Sequence, residues 1–113
     1  MKILVKPKHP ALISAMFSPE PVWLPCAVEC GLFSNESAVE ITISGKTVSL
    51  FADHSLIGRL NNQDFILVTS MGNNGKPKHK SILLPSEAFE TSSRFLSVPE
   101  EMLRPVSDIL TMA

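Results

Sequence analysis

Lysine side chains are concentrated in two segments that share one pattern. Residues 6–9 read Lys-Pro-Lys-His, residues 76–79 repeat that tetrapeptide, and one more lysine follows the second copy. The lysines concerned are Lys6, Lys8, Lys76, Lys78 and Lys80. If the fold brings both segments together, their charges repel one another unless an anion lies between them. The sequence therefore predicts contact with phosphate, or with an acidic segment of a neighbouring copy, only if the two segments converge; if they lie apart, each is a solvated loop.

The two cysteines could form a disulfide or a metal site. Cys26 and Cys30 lie four residues apart, which on a strand puts their Cα atoms ~13 Å from each other, whereas a disulfide needs about 7 Å or less. A zinc site needs a second ligand pair, and the remaining candidates, His54 and His79, are far apart in the chain. We therefore expect two reduced, mostly buried cysteines and no metal or other cofactor. Free thiols, in a chain whose start makes a poor secretory leader, favour a cytoplasmic protein.

Three polar constellations could serve catalysis, but each has a structural interpretation. Residues 53–55 read Asp-His-Ser, yet successive strand residues point to opposite faces and do not assemble a triad, so we expect Asp53 and Ser55 to satisfy turn amides. The turn 72–75 precedes a lysine without P-loop spacing. The remaining carboxylates coincide with predicted first turns of helices; they are Glu87, Glu90, Glu100 and Glu101. The sequence favours a protein that is not an enzyme.

Trp23 is the only tryptophan, and the chain has no tyrosine. Surfaces that recognise partners or bases by stacking are rich in Tyr and Trp. Trp23, between two prolines, is interpreted as a core residue, with an exposed anchor for a partner as the alternative.

Strands must position these groups. Residues 38–43 and 46–51 alternate apolar and polar side chains around a Ser-Gly turn, which predicts a hairpin. Residues 64–71 and about 78–84 predict a second hairpin, with positive φ expected within the Gly-Asn-Asn-Gly turn at 72–75. Further strands are expected from apolar stretches; they are 2–6, 11–17, 22–30 and 94–98, with a short helix as the alternative at 11–17.

Three strand ends share a pattern of Pro or Ala, two polar residues and an apolar anchor. They are residues 50–56, 83–89 and 97–103. Proline and acids suit the first turn of a helix. We therefore expect a one-turn helix at each exit, with Leu56, Phe89 and Leu103 packing back onto the core.

The composition is that of one globular domain over 1–113. The chain is 44% apolar and 19% charged, with net charge -1 and nine prolines that leave no room for a long helix. We predict an all-β fold, a small antiparallel barrel or sandwich of about six to eight short strands. Its parts are Pro-rich strands in 1–30, hairpins 38–51 and 64–84, and an acidic segment 85–113. The longest apolar runs fall far short of the ~20 residues that span a bilayer.

Two functions from different classes follow. The first is a non-enzymatic protein-interaction or self-associating module, because a mean hydropathy of +0.19 is high for a small domain with few charges. The alternative is a nucleic-acid-binding β-barrel that uses the lysine segments against phosphate. Net charge counts against the alternative, since dedicated nucleic-acid binders are usually basic.

Overall fold

The described part of the chain folds into one curled antiparallel sheet. A computed structural model describes residues 19–31 and 34–108. Its strands are β1 (Glu20–Cys30), β2 (Glu36–Ile43), β3 (Lys46–Asp53), β4 (Ile57–Leu60), β5 (Gln63–Asn73), β6 (His79–Leu83), β7 (Phe95–Pro99) and β8 (Arg104–Pro105). The order is β3-β2-β1-β5-β6-β7, with β4 on β5 and β8 on β1. The sheet forms a half-barrel, so the all-β antiparallel prediction is confirmed. The strands predicted at 2–6 and 11–17 lie outside the described residues.

Both predicted hairpins are present. The β2–β3 turn is two residues long, and Ser44 and Gly45 take positive φ values of 52° and 82°. Two positive φ values in such a turn match the right-handed twist of the flanking strands. In the second hairpin β5 pairs with β6, and Gly72 and Gly75 have φ values of 99° and 87°. A bulge at Met71 shifts the register of this pair.

A third hairpin escapes the sequence patterns. β4 pairs with the start of β5 through a two-residue turn in which Asn61 and Asn62 have φ values of 51° and 66°. Asparagine tolerates this conformation better than other non-glycine residues. β4 is only four residues long, so its sequence shows too little alternation of apolar and polar side chains to predict a strand.

The main core fills the concave side of the sheet. Its most buried side chains come from six strands and the loop after β6; they are Leu24, Val39, Ile41, Leu50, Ile66, Ile82, Leu84 and Val98. A smaller cluster, Trp23 and Phe65 with Leu60 and Leu67, packs on the opposite face. Residues on one face of a strand alternate with residues on the other, so β1 and β5 contribute to both clusters.

Two of the three predicted one-turn helices form. Single 3-10 turns follow β3 at His54–Leu56 and β7 at Glu100–Met102, and another spans Val106–Asp108. Leu56 and Leu103 are half-buried, and Leu103 packs against the main core.

The helix expected in 83–89 is wrong. Instead of a helical turn, the backbone there makes one long-range bond, from the Phe89 amide to the Ser49 carbonyl of β3, and one bond within the loop, from the Ala88 amide to the Ser93 carbonyl. Phe89 is 61% exposed and is therefore not the core anchor that the pattern predicted. The neighbouring residue Ala88 is buried in the main core instead.

Candidate interaction site at the mouth of the half-barrel

The loop 84–94 covers part of the outer edge of β3. The Ser49 carbonyl accepts from the Phe89 amide at 2.9 Å, and the Ser49 amide donates to the Glu90 carboxylate at 2.6 Å. The Ser86 hydroxyl donates to the Phe51 carbonyl at 2.7 Å. An edge strand with unpaired backbone groups invites other strands, and a covering loop prevents that. From its middle towards its end, the edge of β3 is thus covered and cannot pair with another strand.

Beyond this loop, the described residues leave the half-barrel open. A cavity of about 320 Å³ lies between the tip of the β2–β3 hairpin and the β6–β7 side of the sheet, and we name it the mouth. Its apolar walls are Ile41, Ile43, Val48 and Leu96; its polar lining is Ser44, Lys46, Lys76, His79, Thr91 and Ser97. Apolar walls with a few convergent polar groups are typical of binding sites.

β7 borders the mouth with an edge to which no strand of the described residues pairs. The Arg94 carbonyl accepts from the Leu84 amide, and the Glu100 amide donates to the Lys78 carbonyl. Because backbone groups alternate sides along an antiparallel strand, the even-numbered residues of β7 bond to β6. The backbone of the odd-numbered residues, Phe95, Ser97 and Pro99, therefore faces away from the sheet. β7 ends the strand order within the described residues, and Pro99, which has no amide proton, fits such an edge.

The basic side of the mouth is held by local hydrogen bonds. Asn74 accepts from the Lys76 amide at 3.0 Å and donates to the Ser97 hydroxyl at 2.8 Å, which fixes the loop to β7. His79 Nδ1 lies 2.9 Å from the Pro77 carbonyl. A carbonyl only accepts, so Nδ1 is the donor in this bond, and Nε2 has no hydrogen-bond partner among the described residues. Lys46 faces this group from the opposite hairpin.

Three of the five lysines that the sequence singled out lie in the described part of the chain. Lys6 and Lys8 lie outside the described residues, so the conditional prediction, contact with an anion if the two segments converge, stays a prediction. Lys76 lines the mouth. Lys78 is exposed at the turn, and Lys80 is half-buried on β6 opposite Val98.

Lys46 completes the basic side of the mouth, and the sequence patterns missed it. The only signal was its place directly after the Ser-Gly turn. The position after the turn indicates a site only because the hairpin tip lies opposite β6 and β7 in the fold.

Trp23 is a core residue, which was one of the two interpretations that the sequence left open. Its side chain is 1% exposed, so it is not an exposed anchor. The indole Nε1 donates to the Val106 carbonyl at 3.3 Å, and the Arg104 guanidinium lies 5.9 Å from the centre of the neighbouring Phe65 ring. Residues 104–106 thus cover the smaller cluster.

Cys26 is a buried free thiol, and the side chain of Cys30 lies outside the described part of the structure. Burial raises its pKa to about 12, and the negative charge of Asp64 adds to the shift. A thiol with such a pKa stays protonated and is a poor nucleophile or metal ligand. Residues 19–31 and 34–108 contain no group of three or more acids, histidines or cysteines arranged for a metal ion.

Asp53 caps the turn at 53–55, as predicted, whereas the Ser55 hydroxyl donates to Asp53 and satisfies no turn amide. Asp53 accepts from the Ser55 amide at 2.9 Å and from its hydroxyl at 2.7 Å. These bonds lower the pKa of Asp53, the backbone bond contributing most. The serine hydroxyl donates to this acid, and residues 53–55 act as a turn rather than as a triad.

The carboxylate of Glu90 has a role other than the predicted one. It does not begin a helix but binds the Ser49 amide and hydroxyl of β3, at 2.6 and 2.8 Å. Those bonds, the hydroxyl first, lower the pKa of Glu90. Glu100 and Glu101 do lie in the first turn after β7, as predicted.

Comparisons with protein-family models, with curated proteins and with solved structures find no significant match. Within the described ranges, helices are limited to single turns, and none has the length and apolar character needed to cross a membrane.

Proposed function

We propose that this chain is a non-enzymatic protein-interaction module that binds an extended segment of a partner at the free edge of β7. The observation that carries the proposal is the combination of an unpaired strand edge and an adjoining apolar cavity. In strand addition, main-chain hydrogen bonds supply affinity, and pockets for alternate side chains supply specificity. β7 offers the backbone groups, and the mouth offers the pocket.

The contrast between the two edges of the sheet supports this assignment. On β3, the Phe89 amide and the Glu90 carboxylate occupy both backbone groups of Ser49. On β7, the corresponding groups of Ser97 face outward, and the described chain supplies no strand to pair with them. A bound segment would gain roughly 0.5–1.5 kcal/mol for each backbone bond.

The charges around the mouth favour a particular composition of the bound segment. Leu96 and Ile43 provide apolar contact, whereas Lys46 and Lys76 would attract carboxylates. We expect the partner segment to alternate apolar and acidic residues, because side chains of a strand point alternately to its two faces.

The alternative is nucleic-acid binding by the same basic side. Lys46 and Lys76 could contact phosphates, with the exposed Lys78 nearby. Against it, the chain carries a net charge of -1, and the described residues that line the mouth include no Phe, Tyr or Trp on which a base could stack. A nucleic-acid complex would also weaken steeply as salt rises.

The test is a selection of random peptides displayed on phage, followed by affinity measurements on the synthetic peptides. Ser97→Pro removes the outward amide proton without touching a bond to β6, and Ser97→Ala is the matched control that keeps this proton. We expect alternating apolar and acidic peptides that bind S97A like the parent and S97P roughly two- to tenfold more weakly, since one backbone bond worth about 0.5–1.5 kcal/mol is lost.

Two results would reject the proposal. One is equal affinity of the selected peptides for S97P and S97A, provided that circular dichroism shows both variants folded. The other is the absence of selected peptides together with tight, strongly salt-dependent binding of an oligonucleotide, in which case the nucleic-acid alternative replaces it.

A further inference from the structure

We infer that a second copy of this chain is one partner of the free edge: β7 pairs antiparallel with β7 of the second copy about a two-fold axis at Ser97. This inference rests on the proposed function and names one binding partner for the same edge. A two-fold interface uses the same surface on both subunits, so the edge must be complementary to itself. Its backbone groups, its charges and its exposed ring meet that requirement.

The backbone pattern fixes the centre of the pairing. Outward groups belong to Phe95, Ser97 and Pro99, because the neighbouring even-numbered residues bond to β6. With the axis at Ser97, the two Ser97 residues exchange both backbone bonds. Phe95 then faces Pro99 of the second copy, and the Phe95 amide donates to that proline carbonyl. Within the described part of the monomer, this amide donates to the Ser93 hydroxyl at 3.0 Å and to no backbone group. The missing proline amide ends the ladder there, so the pairing is limited to this segment.

The charges that flank β7 are complementary in this register. Arg94 precedes the strand and Glu100 follows it, and both are exposed. Antiparallel pairing centred on Ser97 places Arg94 of each copy opposite Glu100 of the other. Among residues 19–31 and 34–108, the one hydrogen bond of the Arg94 side chain is from its Nε to the Leu84 carbonyl, at 2.8 Å. Its remaining N–H groups could therefore bind a carboxylate.

An exposed aromatic ring gives a third reason. Phe95 is 61% exposed on the face of the sheet opposite the main core. In the dimer its ring would lie across from the ring of Pro99 of the second copy, and cross-strand pairs of this kind stabilise sheets. The segment is short, so the interface belongs to the small class, below about 1,200 Å², and to weak association.

The experiment is sedimentation equilibrium of the full chain at low salt, from micromolar to millimolar concentration. We expect a monomer–dimer equilibrium. R94E and E100R should each raise the dimer Kd about tenfold or more, because like charges then face each other across the axis. The double variant R94E/E100R should return to within about threefold of the parent, since the pair is restored with its polarity reversed.

Each outcome decides the inference. A parent protein that stays monomeric throughout overturns it, as does a double variant no tighter than the single ones. If R94E does not fold, E100R is compared with E100Q: weaker dimerisation by E100R than by E100Q supports the inference, and equal Kd values overturn it. Failure here leaves the proposed function standing if selected peptides still distinguish S97P from S97A, so the two failures are separable.

Discussion

Replacing Trp23 with phenylalanine should destabilise the protein although the change is conservative. Trp23 is 1% exposed and packs with Phe65 under the strand and turn at 104–108. Aromatic side chains bury roughly 150–250 Å², and an indole exceeds a phenyl ring by about 50 Å² of that range. At about 25 cal/mol per Å², this difference is worth about 1.3 kcal/mol.

The lost hydrogen bond adds to this cost. The Nε1 bond to the Val106 carbonyl contributes about 1 kcal/mol, and that carbonyl belongs to a residue that is 42% exposed, so water can replace the donor. We expect W23F to lower the free energy of unfolding by about 2 kcal/mol and Tm by roughly 8 °C.

The assay is urea and thermal unfolding followed by far-UV circular dichroism, because W23F removes the only tryptophan. F89L is the control, since Phe89 is largely exposed and should cost less than about 1 kcal/mol. A loss below about 0.5 kcal/mol for W23F would refute the burial argument. Such a small loss would favour the alternative interpretation of Trp23 as an exposed anchor for a partner.

Two further predictions concern Cys26 and the turn at Lys78. The pKa of Cys26 is raised from 9.0 to about 12 by burial; the folded state therefore holds a proton that the unfolded state releases, and stability should fall as pH rises from about 9 to 12. In pH-dependent urea titrations, C26A should lose part of this alkaline decline; an unchanged decline would contradict it. Lys78 has a φ of 59°, a conformation that costs about 1 kcal/mol outside glycine, so K78G should raise the free energy of unfolding by about 0.5 kcal/mol after the entropy cost of glycine. K76G, where φ is not positive, should lower the free energy of unfolding. A lower free energy of unfolding for both K78G and K76G would show that the Lys78 backbone is unstrained.

The hairpins could be predicted because their information is local. Alternating side chains between residues 38 and 51 and the Ser-Gly turn identify both strands and their register without reference to the rest of the chain. The β4 hairpin was missed because four residues give little periodicity, and the turn depends on positive φ at both Asn61 and Asn62.

The helix predicted after β6 failed for a tertiary reason. Pro85-Ser86-Glu87 has the composition of a helix start, yet Ser86 and Phe89 bond to β3, more than 30 residues earlier in the chain. Those long-range bonds satisfy an exposed strand edge, which a one-turn helix could not do. Local preference decides such a segment only where no distant partner competes.

The candidate site was only partly predictable. Lys76 stood out by its repeated tetrapeptide, whereas Lys46 became relevant only when strand order placed the β2–β3 tip against β6 and β7. The free edge of β7 depends on the same topology. The sequence of a five-residue strand does not indicate on which side it has a neighbouring strand. Strand order arises from contacts distant in sequence, and no local pattern encodes it.

Hydrogen exchange at the Ser97 amide, measured by NMR at residue resolution, tests the free edge most directly. In dilute protein the Ser97 amide should exchange fast, while those of Leu96 and Val98, which face β6, stay protected. On raising the concentration to millimolar, or on adding a selected peptide, Ser97 should become protected and its neighbours should change little. An amide already protected in the dilute monomer, or one still exposed under both conditions, would contradict the assignment of β7 as the interaction edge.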